Sequence, residues 1–178
     1  MQIETPRLIL LALTVEQLAK FRLAPELLAQ ELGISLSRRV VDTNVDRAIT
    51  LKLAKLETVT KADHPWYSYW LIILKVEKFG AGLAGFKGIP NQMGEVEIGY
   101  GMDPNVQGSG YTSETVQALI DWAFQSPRCQ AITATQVLPG NLASQQLLTQ
   151  LGFHLVEQSV NGLSYRLEKK TDQDPVIS

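Results

Sequence analysis

The spacing of apolar residues predicts alternating strands and helices. Apolar side chains recur three and four positions apart in two long segments, 44–60 and the segment ending at Ser126-Pro127, which indicates amphipathic helices. In the first segment the stripe runs Val45, Ala48, Ile49 and Lys52 and continues with Leu53 and Leu56. Short runs rich in apolar and β-branched residues predict strands at 7–13, 66–76, 83–88, 95–102, 131–138, 153–160 and 163–168.

Capping residues, prolines and turn dipeptides predict the remaining helices and turns. Thr14 with Gln17 forms a capping-box pattern, and Pro25 suits the first turn of a helix that continues to Leu32. A last helix is predicted from 141 to 151, with a loop at 33–42 and a turn at 79–82. Asn161-Gly162 lies between two apolar runs, the strongest short-range signal for a β-hairpin.

This order of elements predicts an α/β (α+β) fold. We expect one domain over 1–170, built on a mixed, mostly antiparallel twisted sheet of about seven strands with helices on both faces. The central strand, loop, helix and strand should form a right-handed parallel crossover. Residues 171–178 have no apolar pattern and are interpreted as a polar tail.

The segment between the 95–102 strand and the following helix is rich in glycine and small polar residues. The first N–H groups of a helix have no partner within the helix, and its dipole attracts anions to that end. Glycine lets a ligand approach the main chain closely. We therefore interpret 107–112 as a phosphate-binding loop, with an ordinary strand-to-helix turn as the alternative.

Composition limits the kinds of partner. The 178 residues carry a formal net charge of −2 without a cluster of lysines and arginines, which argues against nucleic acid or an anionic membrane as the main partner. The single cysteine, Cys129, excludes an internal disulfide, and because the two histidines are far apart in the sequence we expect no metal site. No run of about 20 apolar residues and no signal-peptide pattern is present, so we expect a cytoplasmic protein.

Three groups of residues are candidates for chemistry. Glu95 and Glu97 alternate onto one face of a strand, where a carboxylate could act as general base or simply face solvent. Asn141 is expected to cap the last helix, and Ser144 lies on its leucine face, where its hydroxyl needs a partner or bonds back to the preceding turn. His64, Trp66 and Tyr67 could line a substrate pocket, whereas core packing is the expected role of Tyr69 and Trp70.

These features in this order resemble the GNAT family of N-acetyltransferases, in particular the branch of ribosomal-protein N-terminal acetyltransferases. The resemblance covers nearly the whole chain. The residues that carry it are Glu4-Thr5-Pro6-Arg7-Leu8-Ile9-Leu10, Glu95-Val96-Glu97-Ile98-Gly99-Tyr100, the segment Gln107 to Glu114, Asn141 with Ser144, and Leu151-Gly152-Phe153.

The resemblance implies acetyl-CoA as the cosubstrate and direct transfer of the acetyl group to a primary amine of a peptide or small molecule. It implies no metal and is compatible with a homodimer. It implies Glu97 as general base with Glu95 as second choice, and Ser144 near the thioester. It implies coenzyme A contacts at Tyr100, Gly101, Met102, Gln107, Gly108, Ser109, Gly110, Tyr111, Thr112, Asn141 and Ser144.

Two positions depart from the family pattern. Asn105 lies where the loop often opens with Arg or Gln, and Leu148 lies where many members have a tyrosine general acid. Ser144 or water would then protonate the leaving thiolate. The alternatives are a non-catalytic acyl-CoA-binding or sensor domain, and a nucleotide-binding α/β domain that uses the Gly-x-Gly turn.

Overall fold

Nine strands and six α-helices alternate along Met1–Lys170, the part of the chain that the computed structural model describes. The strands are β1 Gln2–Glu4, β2 Leu8–Ala12, β3 Ser35–Leu36, β4 Trp70–Leu74, β5 Phe79–Phe86, β6 Glu95–Met102, β7 Ala131–Val137, β8 His154–Ser159 and β9 Gly162–Glu168. The helices are α1 Val15–Leu23, α2 Pro25–Leu32, α3 Thr43–Leu56, α4 His64–Tyr67, α5 Tyr111–Phe124 and α6 Leu142–Gln150.

The chain divides into two compact units. The first comprises 1–89 and 98–119, and the second comprises 90–97 and the chain from Ile120 onward. Strand β6 and helix α5 each contribute residues to both units. The expectation of one domain over 1–170 stays a prediction, and the predicted tail at 171–178 lies outside the described residues.

The first unit contains the strand order β1-β2-β4-β5-β6, antiparallel throughout, with β3 parallel to β5. All five residues of β4 are buried, as expected for a strand covered on both faces. In β5, Gly82 allows a close approach of the neighbouring strand, because a Cβ there would lie 2.3 Å from the carbonyl oxygen of Gly101. This unit therefore presents the end of β6 directly beside a glycine-rich β5.

Helices α1, α2 and α3 contribute to a core against strands β4 and β5. The apolar side chains that they bury include Leu18, Phe21, Leu28, Ile49 and Leu56, which contact Leu71, Ile73 and Leu83. The capping box of α1 forms as predicted, with Thr14 accepting from the Gln17 N–H and the Gln17 side chain accepting from the Thr14 N–H.

The second unit contains β6 residues 95–97, β7, β9 and β8, in that order. Strands β6 and β7 are parallel, with Glu97 opposite Thr133, and the pairs β7–β9 and β8–β9 are antiparallel. The parallel pairing of β6 and β7 confirms that the chain crosses over through α5. The predicted hairpin also forms, with Asn161-Gly162 between β8 and β9.

The fold class is the predicted one, a mixed α/β arrangement with mostly antiparallel strands, but the strand count of about seven was too low. Strands β1 and β3 have three and two residues, too few to show an alternating pattern. The predicted turn at 79–82 is wrong, because these residues begin β5 and the preceding turn includes Lys78 at φ +47°. The predicted strand at 66–76 is also too long, since Trp66 and Tyr67 belong to α4.

Two structural findings concern a nucleotide-binding domain, which was an alternative from the sequence, and membrane-spanning helices. The mostly antiparallel pairing differs from the parallel sheet of a dinucleotide-binding domain. None of the helices in the described part of the chain has the length and apolar character needed to cross a bilayer.

Candidate active site

The loop between β6 and α5 presents a row of main-chain N–H groups. Gly108 and Gly110 have φ values of +79° and +78°, a backbone conformation that favours glycine, and both residues are exposed. Within the described residues, the N–H groups of 108–113 find no acceptor, and the first helical bond runs from the Glu114 N–H to the Gly110 carbonyl. This arrangement can bind an anion at the beginning of α5.

The same loop is held from the N-terminal segment of the chain. Arg7 donates from Nη1 to the Ser109 carbonyl at 2.8 Å and from Nε to Glu114 Oε2 at 2.6 Å. Its guanidinium also lies 4.6 Å from the centre of the Tyr111 ring. Thr5 Oγ1 donates to Glu114 Oε1 at 2.6 Å. The start of α5 is thus fixed by two residues more than 100 positions earlier in the sequence.

Glu114 lies in the first turn of α5, where its negative charge could repel an anion. Partial burial acts to raise the pKa of Glu114, but the hydrogen bonds from Thr5 and Arg7 outweigh burial and lower it. The carboxylate is therefore charged at neutral pH and is paired with the Arg7 guanidinium. This ion pair leaves the helix N-terminus electrostatically suited to a further anion.

The end of β6 is anchored by Asp103, a buried carboxylate. It accepts from Ser37 Oγ at 2.5 Å and from the Asn105 N–H at 2.8 Å. The hydrogen bond from Ser37, followed by that from Asn105, lowers the pKa of Asp103. Gln107 donates from Nε2 to the Met102 carbonyl at 3.0 Å. These bonds fix the path of the main chain from the strand into the loop.

A cavity of about 150 Å³ lies beside the main chain of Gly99, Tyr100 and Gly101 in the first unit. A Cβ on Gly99 or on Gly101 would meet no atom within 4 Å, so this strip of β6 is open to a ligand. The other residues that line the cavity are Val40, Val45, Lys52, Tyr69, Leu83, Gly85, Phe86 and Lys87.

Lys52 projects from α3 into this apolar surrounding. Its ammonium donates to the Tyr67 carbonyl at 2.9 Å and to the Phe86 carbonyl at 2.7 Å, and it lies 4.8 Å from the Tyr69 ring centre. Although the residue as a whole is half-buried, desolvation of the ammonium, with a smaller effect of Lys87, lowers the pKa of Lys52 to about 8.

None of His64, Trp66 and Tyr67 lines the cavity. Trp66 is 4% exposed and stacks at an angle on Phe86 with ring centres 5.2 Å apart, a core contact. Tyr67 contributes its carbonyl oxygen to Lys52. Their assignment to a substrate pocket stays a prediction, and the cavity itself is walled by Tyr69 and Lys52 instead.

In the second unit, the two strand glutamates have different surroundings. Glu97 accepts from Thr135 Oγ1 at 2.5 Å. Glu95 is paired with Arg166, and the hydrogen bond from that guanidinium lowers the pKa of Glu95. A carboxylate held by arginine is a poor proton acceptor, which counts against Glu95 as a base.

Helix α6 carries the other candidate residues of the second unit. Asn141 caps the helix as predicted, because its Oδ1 accepts from the Ser144 N–H at 3.1 Å. Ser144 is half-buried, and Leu148, one turn later, is completely buried. The position at which the family resemblance leads one to expect a tyrosine is therefore part of the apolar core.

Cys129 is completely buried in the second unit, and burial raises the pKa of its thiol to about 11. We expect it to resist modification by a disulfide reagent at pH 8 in the native protein, since only about 0.1% would be thiolate. The absorbance change of the reagent should appear only after unfolding in guanidinium. Rapid stoichiometric labelling of the native protein would contradict this prediction.

Sequence reasoning missed the pairing of Arg7 with Glu114 and the position of Lys52 beside a cavity. Arg7 and Glu114 both lie in segments that carry the family resemblance, but nothing in a linear pattern indicates that they meet. Lys52 did have a signal, because a lysine interrupts the apolar stripe of α3. Within Met1–Lys170, no cluster of three metal-binding side chains occurs.

Comparison with known proteins identifies relatives of the chain. It is 36% identical over 93 residues to YjdG of Bacillus subtilis, an uncharacterized N-acetyltransferase, in an alignment that covers 52% of this chain and 55% of YjdG. The chain spans about half the length of the curated relatives it matches.

Two solved acetyltransferases have a similar fold. RimL, a ribosomal alpha-N-protein acetyltransferase solved with coenzyme A, superposes with a TM-score of 0.66 at 17% identity over 94% of this chain and 98% of that one. The microcin C7 self immunity acetyltransferase MccE, in complex with acetyl-CoA and AMP, gives a TM-score of 0.61 at 16% identity over 93% and 94%. At these identities the likeness concerns the fold.

The family profile extends the match beyond the segments shared with individual relatives. The profile of the acetyltransferase (GNAT) domain matches residues 7–154, which include Arg7, β6, the loop before α5 and helix α6. The chain therefore belongs to the GNAT acetyltransferase domain family, a family of acyltransferases.

Proposed function

We propose that this chain is an acetyl-CoA-dependent N-acetyltransferase that moves the acetyl group directly to a primary amine. The observation that carries the proposal is the row of unpartnered N–H groups at 108–113, held in place by Arg7 and Glu114. It suits the pyrophosphate of coenzyme A, and the fold neighbours RimL and MccE were solved with coenzyme A and acetyl-CoA.

In this proposal the cosubstrate follows β6 and the loop after it. The pyrophosphate contacts the main chain of Gln107, Gly108, Ser109, Gly110, Tyr111 and Thr112. Main-chain groups of Tyr100, Gly101 and Met102 contact the pantetheine and the acetyl carbonyl. Asn141 and Ser144 contact coenzyme A from α6, as the resemblance implies. The glycine strip beside the cavity supports this placement, because no side chain covers it.

Glu97 acts as the general base in the proposed reaction. An amine of pKa about 8 to 10 is mostly protonated at pH 7, so a proton must leave before attack. Glu97 removes it through a water molecule, and the amine nitrogen forms a bond to the thioester carbon. A main-chain N–H near Met102 stabilises the oxyanion. The C–S bond then breaks, the nitrogen loses its second proton to water so that a neutral amide forms, and Ser144 or water protonates the thiolate.

The acceptor is a primary amine, either a peptide N-terminus or a small molecule. RimL is named for acetylation of a ribosomal protein, which supports a peptide acceptor by analogy of fold. The cavity beside Lys52, with its small volume and its two lysines, favours a small molecule.

A non-catalytic acyl-CoA-binding domain is the second candidate. It is favoured by Leu148, which is completely buried and cannot act as the acid that a tyrosine provides in many relatives. Such a domain would keep the anion-binding loop but lack turnover.

An amine-dependent assay separates the two candidates. We expect the purified protein to release free coenzyme A thiol from acetyl-CoA only when an amine acceptor is present. Calorimetry should show binding of acetyl-CoA without an acceptor. Binding without release against peptides, amino acids and polyamines would favour the sensor domain, and absence of binding would contradict both candidates.

A further inference from the structure

Among the described residues, the Lys52 ammonium lacks a third hydrogen-bond acceptor and a counter-ion, which a buried charge needs. An ammonium has three N–H donors, and two of them are taken by the carbonyls of Tyr67 and Phe86. The Tyr69 ring provides a further, weaker attraction. Within Met1–Lys170, no carboxylate lies within ion-pair distance of this group. A buried charge without a counter-ion is costly, so an anion brought by a ligand would be strongly favoured.

The cavity wall offers no such counter-ion. Its titratable groups are Lys52, Lys87, Tyr69 and Tyr100, and its other residues are apolar or glycine. Burial raises the pKa of Tyr69, and the negative charge of Asp42 is the second and smaller cause. Asp42 is the N-cap of α3, and its side chain accepts from the Val45 N–H at 2.8 Å. The cavity is therefore apolar and positively charged.

We propose that this cavity binds the acceptor, and that Lys52 pairs with the carboxylate of a free α-amino acid whose apolar side chain fills the remaining space. The inference deepens the proposed acetyltransferase function and rests on it. A free α-amino acid follows from three requirements: the positive charge of the cavity asks for a carboxylate, its apolar walls ask for an apolar side chain, and the reaction needs an amine.

The volume of the cavity suits an apolar side chain. A dry cavity of about 150 Å³ lined by apolar residues is large enough for benzene. Val45, Leu83 and Phe86 offer such a lining here. A side chain of leucine or phenylalanine size would fit, with the amine toward the open main chain of Gly99 and Gly101.

The charge of the cavity discriminates among amines. Lys52 and Lys87 repel a second ammonium, so a polyamine without an acidic group is disfavoured. The same positive potential favours the neutral form of the acceptor amine, which is the form that attacks the thioester. A peptide N-terminus replaces the α-carboxylate by a neutral amide and loses the ion pair. Free amino acids satisfy both the charge and the shape.

A comparison of leucine with leucinamide tests the inference, because the two acceptors have the same side chain and differ at the carboxylate, which also makes the amine of leucine the more basic of the two. We expect kcat/KM for leucine, calculated for the neutral form of each amine, to exceed that for leucinamide by about 10- to 100-fold, as a partly buried charged hydrogen bond predicts. Lys52→Met should bring the ratio of the two kcat/KM values close to one. Lys55→Met, an exposed lysine one turn later on the same helix, is the matched control and should keep the preference.

Binding measurements separate this inference from the function on which it rests. N-acetylleucine should bind the wild-type protein more tightly than N-acetylleucinamide by calorimetry, and should raise the pKa of Lys52 measured by NMR. Both measurements use the wild-type protein, so they test the pairing of Lys52 with the carboxylate even if Lys52→Met does not fold. Lys52→Arg, which retains the cation, should keep part of the preference.

Each outcome has a separate meaning. Carboxylate-dependent binding without release of coenzyme A would reject the proposed enzyme and support the ligand assignment. Equal kcat/KM of leucine and leucinamide in the wild-type protein, each calculated for the neutral amine, would reject the role of Lys52 and support the enzyme. Failure of both leucine and N-acetylleucine to bind would also overturn the inference.

Discussion

Replacement of Glu97 by glutamine is expected to lower kcat by about 10²- to 10⁴-fold, the usual contribution of a general base. Glutamine has the same shape and can still accept the hydrogen bond from Thr135, which Glu97 accepts at 2.5 Å. It cannot accept a proton from the amine. The affinity for acetyl-CoA, measured by calorimetry, should change little because Glu97 is proposed to act on the acceptor.

Glu95→Gln is the matched control for this prediction. Glu95 lies two residues earlier on the same strand, and its carboxylate is paired with Arg166. Its loss should reduce the stability of the second unit slightly and leave kcat largely unchanged. Equal activity of Glu97→Gln and wild type across the pH range would contradict the base assignment, and so would a larger loss in Glu95→Gln.

Replacement of Gly110 by valine is expected to raise the Kd and KM for acetyl-CoA by at least about 10-fold, since a left-handed conformation costs an L-residue about 1–2 kcal/mol and a β-branched one more. Gly110 has φ +78° and precedes the first residue of α5. A Cβ there would also lie 3.4 Å from the Arg7 guanidinium, which must then shift. Both changes would misdirect the N–H groups that are proposed to bind pyrophosphate.

Gly140→Val provides the matched control for the loop. Gly140 has open space around its Cβ position and is not among the glycines with positive φ, so valine should be tolerated there. Circular dichroism and thermal unfolding would establish that both variants are folded. Unchanged affinity of folded Gly110→Val for acetyl-CoA would contradict the role of the loop.

Short-range signals predicted the local structure well where they were present. The Thr14–Gln17 capping box, the proline at the start of α2 and the Asn161-Gly162 hairpin all form as predicted. Each depends on residues within a few positions of one another, so that the sequence pattern contains the interaction itself. The glycines within 79–82 predict a turn, because glycine usually interrupts a strand, but these residues begin β5. In the fold, glycine at 82 is needed by the close approach of β6.

In the candidate site, too, the features that depend on neighbouring residues were predictable, whereas those that depend on distant contacts were not. The glycine loop before α5, the alternating glutamates of β6 and the Asn141 cap are local patterns and were recognised as such. The distinction between Glu95 and Glu97 was not accessible, because it depends on Arg166 and Thr135 in other strands. Nothing in the spacing of the two glutamates indicates which one an arginine neutralises.

The order of the elements and the fold class follow from the amino-acid sequence alone, since periodicity and turn residues act over short distances, and the motifs in that order indicate the family. The ion pair of Arg7 with Glu114 beside the loop at 108–113, and the carbonyls of α4 and β5 around the Lys52 ammonium, are visible only in the folded chain. These contacts join residues 15 to 107 positions apart. They depend on chain packing, which brings charges together in an environment that no linear pattern describes.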